Sequence, residues 1–317
     1  MIPYILLFIL SCGIFFISGQ WLMSAIIRIA RYLEWREFVI AFIVVAIATS
    51  LPNLFIGITS ALHNIPQLSF GDVLGGNLFD LTAAVALAAL FARGLPADSK
   101  MVQTSALFTV IVAVAPLLLI LDGVLGRGDG IFLILLFFFY IFWLFSKKER
   151  FSKVYDGDRP SIMKDFSNFL KDVGKIVAGL VLLIIASQGI VYTAKYFAVA
   201  LNWPIGMVGI LIVGVGSALP ETYFAIIAAR RFQTWMTLGN LMGSVIIIGT
   251  LVLGIVALIN PIEIVDFSPY LIARFFLILA AIFFFSFVRT GRKLNTKEAI
   301  FLLLIYVIFI VAEIISK

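Results

Sequence analysis

The sequence predicts an all-α polytopic membrane protein, with ten transmembrane helices in two inverted five-helix repeats and both termini outside. Three observations carry that prediction. Of 317 residues, 63% are hydrophobic and only 13% charged, with a mean hydropathy of +1.16, whereas a soluble domain is nearer about 25% charged. Residues 44–88 return without a gap as residues 212–256, 168 positions later. The basic residues cluster on alternate connections between apolar runs, which is a topology signal.

The apolar runs place spans at about 3–27, 38–62, 70–92, 102–121, 130–146, 172–194, 205–229, 237–259, 268–288 and 298–315, each near the ~20 residues that cross a bilayer. The first run lacks a basic leader and is too long for a signal-peptide core, so it reads as a retained span. Its Gln20 is matched by Gln188 in the repeat, and packing across the centre or ion contact would each suit that pair. The lone Cys12 can form no internal disulfide and reads as a small packing residue. Residues 147–171 form a cytoplasmic linker between a first repeat at 1–146 and a second at 172–317. The linker is either a tether or carries a short interfacial helix after Pro160, with Ile162, Met163, Phe166, Phe169 and Leu170 on its apolar side.

Orientation follows from the cations. With the N-terminus outside, the inner segments hold 19 of the 23 Lys and Arg residues, leaving only Arg127, Lys195, Arg274 and Lys317 on the outer side. Lysine and arginine accumulate on the cytoplasmic face. Five spans per half is an odd number, so the second half enters from the opposite side, the inverted repeat used by many secondary transporters. The excess of basic charge therefore marks topology, and nucleic acid is not an expected partner. The expected partners are the lipid bilayer and inorganic cations.

Within the repeat, Thr49 pairs with Ser217, Pro52 with Pro220, Asn53 with Glu221, Gly71 with Gly239, Gly75 with Gly243, Asp80 with Ile248 and Thr82 with Thr250. Pro52 and Pro220 cannot donate to the carbonyls of Ala48 and Gly216, which become uncharged oxygen ligands. Thr49, Ser50 and Ser217 add hydroxyls nearby, and Asn53 adds an amide oxygen. Gly71, Gly75 and Gly76 stand opposite Gly239, Gly243 and Ser244, small residues that let helices approach. Asp80 and Glu221 lie inside spans with no basic residue at their depth, and an intramembrane acid marks a cation path or cavity. Asp72, Gly76 and Asp80 recur four residues apart and share a helix face; Asp72 lines the path or caps a helix as its counterpart Asn240 would. Glu313 is placed near the outer end of span 10, in reach of water, and His63 in an exposed loop.

An all-oxygen set of carboxylate, carbonyl, amide and hydroxyl groups suits hard cations such as calcium or sodium. No His or Cys cluster offers soft-metal ligands. A nucleotide-binding loop, an H-E-x-x-H helix and a nucleophile–base pair are all missing from the sequence, so ATP, cofactors and an enzyme active site are not expected. A passive cation channel remains the reading from a different class.

The two stretches resemble the alpha repeats of the calcium/cation antiporter superfamily, the family of the sodium/calcium exchangers. The motifs are Ala48-Thr49-Ser50-Leu51-Pro52-Asn53 and Gly216-Ser217-Ala218-Leu219-Pro220-Glu221, followed by Gly71-Asp72-Val73-Leu74-Gly75-Gly76-Asn77-Leu78-Phe79-Asp80 and Gly239-Asn240-Leu241-Met242-Gly243-Ser244-Val245-Ile246-Ile247-Ile248. The resemblance implies ten spans in two inverted halves, and secondary active antiport by alternating access, with calcium exchanged for sodium. Carried over by position, it implies Thr49, Asn53, Asp80, Ser217, Glu221 and Ser244 as ion ligands. The chain departs from the family where Asn53 replaces a glutamate, Gly76 and Ala218 replace serines, and Ile248 replaces Asp or Asn. Those departures leave roughly two negative charges at the centre and a lopsided ligand set. They bring proton-coupled exchange of calcium or another cation close behind sodium coupling; in that case Glu221 or Asp80 must carry a proton when the cation is absent.

Overall fold

In a computed structural model, residues 1–32, 45–98, 100–146, 162–230 and 234–315 are described. They form a nearly all-helical bundle. The helices are α1 (Ile2–Tyr32), α2 (Ala46–Leu62), α3 (Pro66–Ala92), α4 (Lys100–Leu119) and α5 (Arg127–Ser146) in the first half. The second half holds α6 (Ile162–Leu201), α7 (Ile205–Arg230), α8 (Thr234–Ile247, continuing as Ile248–Val252 and Leu253–Ile259), α9 (Leu271–Thr290) and α10 (Thr296–Ile315). Among the described residues, nine helices are long and apolar enough to cross a membrane; α2, described only from Ala46, is the shorter tenth. Of the basic residues used to orient the chain, Arg36, Lys147, Lys148, Arg150, Lys153, Arg159, Arg231 and Lys317 lie outside the described residues.

The repeat seen in the sequence is a structural one. α3 widens into a π turn at Asp80–Ala84 and α8 does so at Ile248–Val252, again 168 residues apart. Each turn contains a matched threonine whose hydroxyl bonds the carbonyl four residues back, Thr82 to Leu78 and Thr250 to Ile246. Such back-bonding competes with the helical ladder and accompanies local bends and bulges. Two short antiparallel ribbons obey the same relation. β1 (Leu95–Pro96), after α3, pairs with β4 (Lys293–Leu294), after α9. β2 (Val124–Leu125), after α4, pairs with β3 (Ile262–Glu263), after α8. Each ribbon joins one half to the other, so its two loops share a face of the bundle, as alternating spans in inverted halves require.

Burial separates the helices by role. In α3, 89% of the apolar window is buried, against 28% in α5. α5 turns Ile131, Phe132, Leu135, Phe138, Phe139 and Phe142 outward, an apolar face too large for a water-exposed monomer and natural against lipid. The apolar interior forms two main clusters. One joins α2, α3, α4, α5, α7, α8, α9 and α10. The other centres on α1 and α6, with Cys12, Phe15 and Leu22 packed among Leu183, Ala186, Ile190 and Val191. Near one end of this pair, Arg28 donates to both carboxylate oxygens of Asp172 at 2.8 and 2.7 Å. Toward the other, Tyr4 stacks on Tyr196 with the rings 2° from parallel.

Four expectations change. The helix expected after Pro160 is not a separate interfacial element: from Ile162 the chain is the first part of the 40-residue α6. The glycines of α3 do not meet those of α8. A side chain on Gly71 would strike the carbonyl of Gly206, and one on Gly75 the carbonyl of Ile210, so these glycines bring α3 onto α7 backbone to backbone. Glu313 does not reach water; it is 2% exposed. Gln188 is exposed rather than packed across the centre, while Gln20 is half-buried.

These contacts predict a contrast between neighbouring glycines. Gly75→Val should destabilise the fold by at least about 1–3 kcal/mol, the usual cost of overpacking. Gly76→Ala should leave it near wild type, because a Cβ there meets nothing closer than 3.7 Å. Thermal melting in detergent distinguishes the two, and equal melting temperatures would refute the backbone-contact argument.

Candidate cation site

The centre of the bundle is where the proline turns of α2 and α7 meet the segments of α3 and α8 just before their π turns. Pro52 lies inside α2, and Pro220 stands just past Ala218, where α7 is interrupted. Neither proline has an N–H to give, so the turn before each retains a carbonyl oxygen the helix does not use. The close passage of α3 over α7 sets the other side: the backbone around Gly76 and Asp72 packs on Gly214, and Gly209 on Leu68 and Asp72.

All six sequence-predicted ligands come together here, and all are buried. Thr49, Asn53, Asp80, Ser217, Glu221 and Ser244 are each no more than 2% exposed. The repeat relation orders their contacts. Ser217 Oγ donates to Asp72 Oδ1 at 2.7 Å, and its counterpart Thr49 Oγ1 donates to Asn240 Oδ1 at 3.1 Å. Asn53 Nδ2 donates to Ser217 Oγ at 3.1 Å and to Asp72 Oδ2 at 3.4 Å. In the other half Asn240 Nδ2 donates to the Glu221 backbone oxygen at 3.4 Å. Ser50 Oγ donates to Ser244 Oγ and Ser244 Oγ to Glu221 Oε1, both at 3.4 Å. The contacts at 3.4 Å are long and correspondingly weak.

One acid and one amide therefore occupy the same two places in each half, exchanged: Asn53 with Asp72, and Glu221 with Asn240. Sequence reading gave Asp72 a lesser place, as path lining or a helix cap. The structure makes it a fully buried member of the centre, so three acids gather there, not two. The signal was present in the motif, where an acid stands at position 72 and an amide at 53. Asp72 has both oxygens engaged, and a carboxylate can only accept, so the Asn53 amide must turn its NH2 group toward it. Asn53 Oδ1 is thereby left facing away.

The remaining oxygens define the chemistry. Asn53 Oδ1, Asn77 Oδ1, Asp80 Oδ1 and Glu221 Oε2 are buried and accept no hydrogen bond. A buried unsatisfied acceptor is unusual in a folded protein and calls for a partner. Among the described residues, the ion pairs are those of Arg28 and Lys175 with Asp172, so no lysine or arginine supplies that partner. A hard cation would be held by such oxygens together with the freed carbonyls. No three carboxylates, histidines or cysteines converge as a metal-holding group among the described residues. A mixed set with few charges is weaker, and weaker binding suits an ion that must be released. His63 is exposed, with Nδ1 2.8 Å from the Thr59 carbonyl, and stands apart from the centre.

A multi-pass bundle with matched broken helices and unpaired acids at its centre has the build of a secondary cation transporter. The chain belongs to the sodium/calcium exchanger protein family, whose pattern matches residues 3–146 and 172–315. It is 25% identical over 340 residues to the sodium/calcium exchanger MaX1 of Methanosarcina acetivorans, covering 96% of this chain and 97% of that protein. An uncharacterised membrane protein of Methanocaldococcus jannaschii is 27% identical over 306 residues, with 96% and 95% coverage. Among solved structures, the sodium-calcium exchanger NCX_Mj, soaked with sodium and strontium, superposes with a TM-score of 0.69 at 23% identity over 98% of each chain. That likeness establishes the fold.

Removing the Ser217 hydroxyl takes away a 2.7 Å bond to a buried carboxylate. Ser217→Ala should destabilise the protein by about 1–3 kcal/mol, the range for a buried group left unsatisfied. Unfolding measured in detergent checks this; an unchanged midpoint would place Asp72 outside the network described.

Proposed function

We propose that this chain is a secondary active cation antiporter of the cell membrane that exchanges calcium for sodium by alternating access. Buried, unpartnered oxygens on Asp80 and Glu221, with no basic residue beside them, carry the reading. Thr49, Asn53, Asp80, Ser217, Glu221 and Ser244 are its ligands, with the carbonyls freed by Pro52 and Pro220. The relatives named as sodium/calcium exchangers support the choice of ions. Residues 1–146 and 172–317 act as the two inverted halves, joined by a cytoplasmic linker at 147–171, with both termini outside. The helices α1 and α6 move together against the rest and expose the centre to each side in turn; the apolar cluster centred on them, distinct from the main one although it reaches Ile56, Leu68, Val208 and Val213, supports this.

In this mechanism the cation sheds water for the carboxylate, amide, hydroxyl and carbonyl oxygens, and counter-ions compete for the same acids. An uncompensated charge inside the membrane is costly, so the loaded states are the ones that cross. A proton-coupled version has one observation in its favour: Asn53 stands where the matched residue is Glu221, leaving fewer fixed charges to hold several sodium ions.

Proteoliposomes loaded with radiolabelled calcium test both. Efflux should follow external sodium; efflux driven by an external acid step alone would establish the proton-coupled version, and efflux indifferent to both would mean a passive pathway. Glu221→Gln should abolish exchange, and wild-type flux in that variant would remove Glu221 from the site. Asn53→Glu should tighten divalent binding, as measured by calcium titration of the purified protein; unchanged affinity would show that position 53 does not contribute a ligand.

A further inference from the structure

The internal symmetry of the site exposes a difference between its halves. Around Ser244, the matched positions are polar: Ser244 bonds Glu221, receives a bond from Ser50, and lies within reach of Asp80. The repeat carries these four onto Gly76, Asn53, Ala218 and Ile248. There both hydroxyls and both acids are gone, and Asn53 alone is polar. A Cβ on Gly76 would stand 3.7 Å from Ile248 Cδ1, 3.9 Å from Asn53 Nδ2 and 3.9 Å from the Gly214 carbonyl. The Ile248 side chain, 1% exposed, thus lies across the position equivalent to the Ser244–Asp80 contact.

Packing does not require this arrangement. Gly71 and Gly75 are needed because carbonyls of α7 occupy the space a side chain would take, whereas Gly76 has room for one. The Ser244 side meanwhile keeps two carboxylate oxygens without donors, Asp80 Oδ1 and Glu221 Oε2. One side of the centre offers open anionic oxygen; its counterpart offers only the amide oxygen of Asn53 beside the hydrocarbon of Ile248.

We propose that the site is functionally one-sided: its charged seat is Glu221 and Asp80 with Ser244; Thr49, Asn53 and Ser217 add only neutral oxygen; and Ile248 closes the symmetry-related charged seat, so that fewer counter-ions bind per calcium than a fully polar pair of halves would take. This rests on the reading of the centre as a cation site. Ile248 is then the residue that sets counter-ion number. An aspartate or asparagine there, with a hydroxyl at position 76, would rebuild the second seat.

The test uses the purified full-length protein, with radiolabelled calcium bound at equilibrium and displaced by sodium or, where sodium does not compete, by acid. The double variant Gly76→Ser/Ile248→Asp should steepen displacement, raising the Hill coefficient by about one. Ile248→Ala, which opens space without adding oxygen, should keep the wild-type slope. A double variant that binds calcium with the wild-type slope would overturn the proposal, as would an equal rise in Ile248→Ala. If the double variant does not fold, Ile248→Asn alone carries the same expectation. Glu221→Gln separates the two levels of inference. Calcium binding that persists in that variant defeats the site reading itself. Calcium binding lost there, with the slope unmoved by Ile248→Asp, defeats only the one-sided seat.

Discussion

The centre of this protein depends on how closely two backbones cross. Gly71 and Gly75 of α3 lie on the carbonyls of Gly206 and Ile210, and Gly214 of α7 lies on the backbone of Gly76. Helices with ordinary side chains at the contact keep their axes about 8–10 Å apart. Glycine contacts allow a nearer approach, and that nearness lets Ser217, on α7, reach Asp72, on α3, at 2.7 Å. From there the network extends to Asn53 on α2. Lipid tails are as apolar as the side chains, so the crossing must be held by packing and such bonds and not by hydrophobic expulsion.

The exchange of acid and amide between the halves gives the site its charge without giving it symmetry. Asp72 is buried with both oxygens bonded, which fixes the Asn53 amide and commits its carbonyl oxygen away from the network. Glu221 has one oxygen engaged weakly by Ser244 and the other by nothing. The two acids at matched depth thus do different work. One organises neutral ligands, and the other presents charge. A carboxylate in its apolar setting without a basic partner is stable only with a cation or a proton to offset it, which ties the energetics of this centre to its occupancy.

Much of this was legible in the sequence because the repeat is gapless. The spacing of Thr49, Pro52, Gly71, Gly75 and Thr82 against Ser217, Pro220, Gly239, Gly243 and Thr250 located both broken helices, and the π turns keep the same interval. All six residues that the family resemblance implied as ligands fall in one buried centre. What escaped is what depends on partners in space. Glycine spacing says that something comes close to α3, but not that it is α7. Asp72 resembles a helix cap until Ser217 is seen across from it. The run after Pro160 has the apolar pattern of an interfacial helix, yet the same pattern continues as α6. Glu313 sits near a helix end, where water would be expected, and is covered by its neighbours.

The same geometry sets the helices of the proposed site apart from the α1–α6 pair. The proposed ligands sit on α2, α3, α7 and α8, and the ribbons β1–β4 and β2–β3 tie the connections after α3, α4, α8 and α9 across the halves. α1 and α6 take no part in either ribbon. They pack chiefly on each other, with the Arg28–Asp172 pair and the Tyr4–Tyr196 stack fastening them far apart along their length. The cluster around them also takes in Ile56, Leu68, Val208 and Val213, and the Thr59 and Ser187 hydroxyls lie 2.9 Å apart, so the pair also rests on the helices of the centre. In the proposed exchange cycle a shift of that pair would change access to the centre, and the contacts of Gly71 and Gly75 with α7 involve neither helix. On that proposal binding geometry and gating fall to different sets of contacts, so the candidate ligands would stay in register while the side they open to changes.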